Sequence, residues 1–132
     1  MTRFVIDPGA VLQLVTTDIE VSKKHELLAP TLLRSQTLSM LHEAVSLGGF
    51  GAQEAWERYV RIGKMPIRLL GDLVLRRRAW ELADQLGWAS TYDAEYIALT
   101  QLQADAFITL NRDLARGVSG LVMTAALEAL RE

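Results

Sequence analysis

Residues 90–111 read STYDAEYIALTQLQADAFITLN. Ser90 and Thr91 are capping residues, and they predict a helix from Tyr92 to about Gln103. Ala106–Leu110, AFITL, is a short apolar run and reads as a strand. Asn111 follows that strand and opens a short helix to Ala115. A helix, a buried strand and a polar residue where the strand ends make one unit of an α/β fold.

Working towards the N-terminus, the same pattern recurs. Phe4–Ile6 is a short apolar run ending at Asp7-Pro8-Gly9, a strand followed by a turn, and residues 10–15 start a helix. Lys23–Glu26 reads as a polar connection, Leu27–Ala29 as a short strand, and Pro30 as the opening of a helix. From Leu32 to Leu47 apolar residues fall at helical spacing (Leu33, Leu38, Leu41, Val45), and Gly48-Gly49 stops them. Ala52–Ile62 is a second amphipathic helix, expected to end at Gly63. Met65–Leu70 reads as a strand, and Asp72–Leu86 as a strong helix terminated by Gly87. Beyond Ala115, Leu121–Met123 is expected as a last strand and Thr124–Leu130 as a closing helix. The strands alternate with helices and are continuously apolar, which argues for a parallel sheet covered on both faces.

Composition narrows the chemistry. The 132 residues fit one domain, half are hydrophobic and 23% are charged, so a packed core is expected and disorder is not. The 14 basic and 16 acidic side chains leave a net charge of −2, which is not the profile of a protein that coats nucleic acid by bulk electrostatics. There is no cysteine, which excludes disulfides, thiolate metal sites and a thiol nucleophile. With only His25 and His42, a metal would have to be held by oxygen ligands, which suits Mg²⁺ or Mn²⁺. No run approaches the ~20 apolar residues of a membrane span, and no apolar leader precedes Phe4, so a cytoplasmic location is expected.

In open parallel sheets a ligand crevice forms beyond the carboxyl ends of the strands. Asp7 and Asn111 stand there, after FVI and AFITL. Asp93 lies in the first turn of its helix, and Gln36 near the start of another. Each also has a purely structural reading. Asp7 before Pro8 is a good N-cap, Asp93 can close a capping box with Ser90, Asn111 can cap the helix carrying Asp113, and Gln36 can be an ordinary solvated residue.

The ordered set FVID, LLRSQTLSML, STYDAEYIAL and FITLNRDL resembles the PIN domain, and within it the VapC ribonuclease toxins of bacterial toxin–antitoxin systems. The resemblance spans nearly the whole chain and is most specific over Ser90–Leu99. It implies a three-layer sandwich over residues 1–132, with a central four- to five-stranded parallel sheet and helices on both faces. Asp7 and Asp93 match the first and third acids of that family. Gln36 stands where its glutamate belongs, and Asn111 where its fourth aspartate belongs. Thr109 matches the family threonine, while Gly9 and Ser39 depart from the usual small hydroxyl residue and asparagine.

The resemblance implies a Mg²⁺- or Mn²⁺-dependent endoribonuclease, with RNA as substrate, a small VapB-type antitoxin as partner, and a homodimer. Asp7, Asp93, Gln36 and Asn111 are the expected catalytic residues, with Asp7, Asp93 and Asp113 on the metal. Replacing two carboxylates by amides removes charge: near 4 Å, one unit charge is worth roughly 4 kcal/mol to another at an effective dielectric of ~20, before desolvation. Asp113 and Glu95 are the nearest acids available to compensate. The alternative is a degenerate PIN protein that binds a partner or RNA without cutting. A receiver-like regulator is a third reading, but the paired acids it needs after the first strand are missing.

Elsewhere, Arg76-Arg77-Arg78 is the densest charge run. On a helix these side chains point about 100° apart, which favours a solvated face over one phosphate-binding patch. Trp56 and Trp80 fall on apolar helix faces and are expected in a core or an interface. His25 and His42 are expected at the surface.

Overall fold

The structure, a computed structural model, describes all 132 residues. Five strands, β1 (Thr2–Ile6), β2 (His25–Pro30), β3 (Ile67–Leu70), β4 (Ala106–Ile108) and β5 (Thr124–Ala125), form one sheet in the order β3-β2-β1-β4-β5. Every pairing is parallel. Six α-helices connect them: α1 (Pro8–Thr17), α2 (Leu32–Ser46), α3 (Ala52–Lys64), α4 (Leu73–Leu86), α5 (Tyr92–Gln103) and α6 (Arg112–Gly117).

The order decides where a site can form. The chain steps outward from β1 to β2 to β3, then returns past β1 to β4 and β5. Right-handed crossovers in opposite directions put their helices on opposite faces. In keeping with this, α1, α2 and α3 pack on one another, while α4 pairs with α5, and α5 lies on β1, β2 and β4. The reversal falls between β1 and β4, and a crevice is expected outside their carboxyl ends. The backbone N–H of Asp7 donates to the Ile108 carbonyl at 3.2 Å, which holds these two ends side by side.

The strands are apolar because both faces are covered: Val5, Ile6, Leu28, Phe107 and Ile108 are wholly buried. Leu82, Ile97 and Tyr96 reach the same core from α4 and α5, and Ala10, Val11 and Leu14 from α1.

Several local expectations are corrected. Pro30 does not open a helix; it is the last residue of β2, opposite Leu70. The β1–β2 ladder has already ended at Val5–Leu28, so the missing proline N–H interrupts no bond on that side. Gly63 does not end α3, which continues to Lys64. The stop comes from Pro66, which forces Met65 into extended backbone (φ −70°, ψ 144°). Leu121 and Val122 are not strand: both donate backbone N–H groups to the Val118 carbonyl in a tight turn, and β5 begins only at Thr124. The closing element is a 3₁₀ helix, Leu127–Arg131, in place of an α-helix from Thr124.

Trp56 and Trp80 are each 59% exposed, so neither belongs to the core. His25 is half-buried, with its ring edge-on to Phe4 at 5.1 Å, and is not a surface residue. The three arginines do diverge: Arg77 faces Glu81, Arg78 donates to Gln101 at 2.8 Å, and Arg76 lies near Glu95.

Candidate functional site

Asp7 is the hinge between β1 and α1. Proline at the next position suits the first helical turn, and Asp7 is the N-cap, its Oδ1 accepting the Ala10 N–H at 2.9 Å. Its second oxygen faces the neighbouring strand end, where the Thr109 hydroxyl donates to Oδ2 at 2.5 Å. The same Thr109 oxygen accepts the Asn111 N–H at 3.1 Å. One hydroxyl thus ties the end of β1 to the turn after β4. The capping reading and the crevice reading of Asp7 therefore coexist in one side chain.

Asp93 comes from the first turn of α5. It does not close a capping box with Ser90: the Ser90 hydroxyl oxygen instead accepts the Tyr92 N–H at 3.2 Å. Asp93 lies close enough to Asp7 for its charge to raise the Asp7 pKa. Burial is the larger cause of that rise, and the Thr109 and Ala10 hydrogen bonds oppose it. Burial also lifts the carboxyl groups of Asp93 and Glu95, the latter partly offset by Arg76.

Gln36 approaches from the opposite helical layer, on the first turns of α2. It shares an open groove with Trp88, Ser90, Tyr92 and Asp93. Its Oε1 accepts the hydroxyl proton of Tyr96 at 2.6 Å. Tyr96, only 1% exposed, is the residue that sequence reasoning missed. A signal was available: Tyr96 lies three positions after Asp93, on the same helix face. Its hydroxyl is held strongly in the protonated form by burial and by the charges of Asp7, Glu95 and Asp93, in that order.

Asn111 is the N-cap of α6, its Oδ1 accepting the Leu114 N–H at 3.1 Å. Asp113 lies on the outer turn of α6, its side chain 88% exposed and paired with Arg116. The structure therefore gathers Asp7, Asp93, Tyr96 and Gln36 at the head of the sheet, with Asn111 joined to them through Thr109. Asp113 points to solvent.

The donor set fits a divalent cation only in part. Burial raises both carboxyl pKa values, and the charge of Asp93 adds a smaller rise at Asp7, so a positive charge near the pair would be favourable. No three His, Cys, Asp or Glu side chains gather into a cage, and both nearby amide oxygens already accept hydrogen bonds.

No family model and no curated protein matches the chain. Solved structures do. The PAE2754 protein of Pyrobaculum aerophilum superposes with a TM-score of 0.77 at 20% identity, covering 98% of this chain and 94% of its own. VapBC2 of Rickettsia felis, bound to a DNA fragment from its promoter, superposes with a TM-score of 0.67 at 8% identity, covering 94% of this chain and 98% of its own. The fold is PIN-like. The PIN-like sheet and its strand reversal accord with the fold that the resemblance implied.

Proposed function

We propose that this PIN-like chain is a VapC-like endoribonuclease whose acidic centre is weakened by two amides. The observation that carries the reading is the convergence of Asp7 and Asp93 at the strand reversal, where each carboxyl pKa is raised. Asp7 and Asp93 would hold Mg²⁺ or Mn²⁺. Such an ion, when bound, supplies positive charge against a phosphodiester and acidifies water beside it. Thr109 orients Asp7, and the α1 N-terminus fixes the other oxygen. Gln36 and Asn111 serve as orienting groups, their amide oxygens being engaged inside the protein. Asp113 would have to release Arg116 before it could reach a cation.

The proposed substrate is RNA, cleaved by hydrolysis of a phosphodiester bond. The proposed partners are a small VapB-type antitoxin and a second copy of the chain. Exposed apolar side chains on two helices, Trp56 and Val60 on α3 and Leu73, Val74 and Trp80 on α4, offer surface for either. No helix is long and apolar enough to cross a membrane. The proposed location is the cytoplasm.

A second reading has its own support. Gln36 and Asn111 carry no charge where the family has acids, and each amide oxygen accepts a hydrogen bond inside the protein, which suits a chain that keeps the fold and binds RNA or a protein without cutting. Incubating the protein with total RNA and Mn²⁺, beside a Gln36→Glu/Asn111→Asp variant, separates the two. The first reading expects slow cleavage by the parent that disappears in Asp7→Ala and quickens in the double variant. Cleavage by the double variant alone favours the second. Parent cleavage that survives Asp7→Ala overturns the site.

A further inference from the structure

We infer that the groove between the end of α4 and the start of α5 holds one unpaired base of an RNA strand, stacked on Tyr92 and Trp88. The inference rests on the RNA reading proposed above and names the part of the strand that this flank of the site takes. Gln36 lines the groove from α2, and Trp88, Ser90, Tyr92 and Asp93 line it from the α4–α5 turn and the first turn of α5. Its volume, about 490 Å³, falls within the ~300–1,000 Å³ of small-ligand clefts. The turn is built to present the two rings. Gly87 ends α4 in left-handed backbone (φ 70°), and the Trp88 N–H then donates to the Ala83 carbonyl at 2.9 Å. That bond seats Trp88 half-buried against the core. Ser90 Oγ accepts the Tyr92 N–H at 3.2 Å, and the chain enters α5 with Tyr92 56% exposed.

The lining decides what fits. It contains an acid and no lysine or arginine, so the group it takes is not a phosphate. It contains two aromatic rings, and every base has a face that stacks on such a ring. The paired rings of the molecule are Phe4–His25, Trp56–Tyr59 and Tyr96–Phe107, so Tyr92 and Trp88 keep their faces for a ligand. The polar groups suit the edge of a base. Gln36 offers its NH₂ group and the second lone pair of Oε1, the first accepting the Tyr96 proton, and Ser90 offers its hydroxyl proton. An apolar protein side chain would leave these groups without partners. A base inside a duplex presents neither a free face nor a free pairing edge, so the groove selects an unpaired nucleotide. Asp93 belongs both to this groove and to the carboxylate pair with Asp7, so a base held here lies beside the proposed cutting site.

The test measures binding without cutting. Oligo(A), oligo(C), oligo(U) and a mixed strand carrying guanine, each end-labelled, are titrated with the protein in a chelating buffer and followed by anisotropy. A Trp56→Phe/Trp80→Phe protein leaves Trp88 as the one tryptophan, so its emission reports the groove directly. At least one single strand should bind and quench Trp88, and the same strand annealed to its complement should bind more weakly. Tyr92→Leu should weaken single-strand binding by at least about fivefold, whereas Tyr92→Phe should keep it, because the ring face and not the hydroxyl makes the contact. Tyr92 is exposed, so neither change touches the core. Unchanged affinity in Tyr92→Leu, unquenched Trp88, or no binding to any strand overturns the inference. The nuclease reading is judged separately, by Mn²⁺-dependent cleavage of total RNA. Binding with the expected Tyr92 dependence but no cleavage sinks that reading and leaves the base site standing. Cleavage by a parent whose RNA affinity ignores Tyr92 sinks the base site alone.

Discussion

The Thr109 hydroxyl donates to Asp7 Oδ2 at 2.5 Å across the end of the β1–β4 pair, and the same oxygen accepts the Asn111 N–H. A single short side chain therefore holds the first acid of the site and the turn after β4 in one arrangement. Thr109→Val removes a donor from a part-buried carboxylate, which costs about 1.5–3 kcal/mol. Urea denaturation at pH 7 should show this loss. The loss should shrink in acid, where Asp7 is protonated, and Thr109→Ser should recover most of it.

Asp93 gives a pH-dependent expectation. Burial raises its pKa in the folded protein above the ordinary 3.8, so folding favours the protonated form. Its contribution to stability is greatest below the unfolded value and is lost as pH rises through the folded value. Asp93→Asn should therefore stabilise the metal-free protein at pH 7 and have little effect at pH 3. The gain should stay below about 1 kcal/mol, because the side chain is partly exposed and solvent screens it. Thermal denaturation across pH, in a chelating buffer, measures it. Equal effects at both pH values would contradict the assignment.

Asn111 separates capping from chemistry. Its Oδ1 caps α6 through the Leu114 N–H, so Asn111→Ala should cost about 1 kcal/mol in urea denaturation. Asn111→Asp preserves the cap, and with it the stability, while adding a charge next to the Asp7–Thr109 link. A loss of stability in Asn111→Asp equal to that in Asn111→Ala would show that the oxygen does not cap.

Much of this was legible in the sequence, for identifiable reasons. FVI and AFITL are apolar runs bounded by polar residues, and parallel strands buried on both faces must look that way. That pattern places Asp7 and Asn111 at the carboxyl ends. Gln36 was different: nothing in its own neighbourhood distinguishes it from a solvated glutamine, and only the resemblance singled it out. Tyr96 was passed over because a tyrosine inside an apolar helix reads as core, which its ring is; the hydroxyl's partner lies 60 positions away. At Pro30 and Gly63 local propensity points elsewhere, because a finished ladder and a later proline decide those ends. Trp56 and Trp80 show the remaining limit: periodicity identifies an apolar helix face but not whether the sheet covers it.

Asp7 and Asp93 are proposed to share one divalent cation. Titration calorimetry with Mn²⁺ on the parent, Asp7→Ala and Asp93→Ala tests it most directly. Single-site binding in the parent, weakened at least tenfold (about 1.4 kcal/mol) by either substitution, is the predicted result. Binding that neither substitution changes would contradict it.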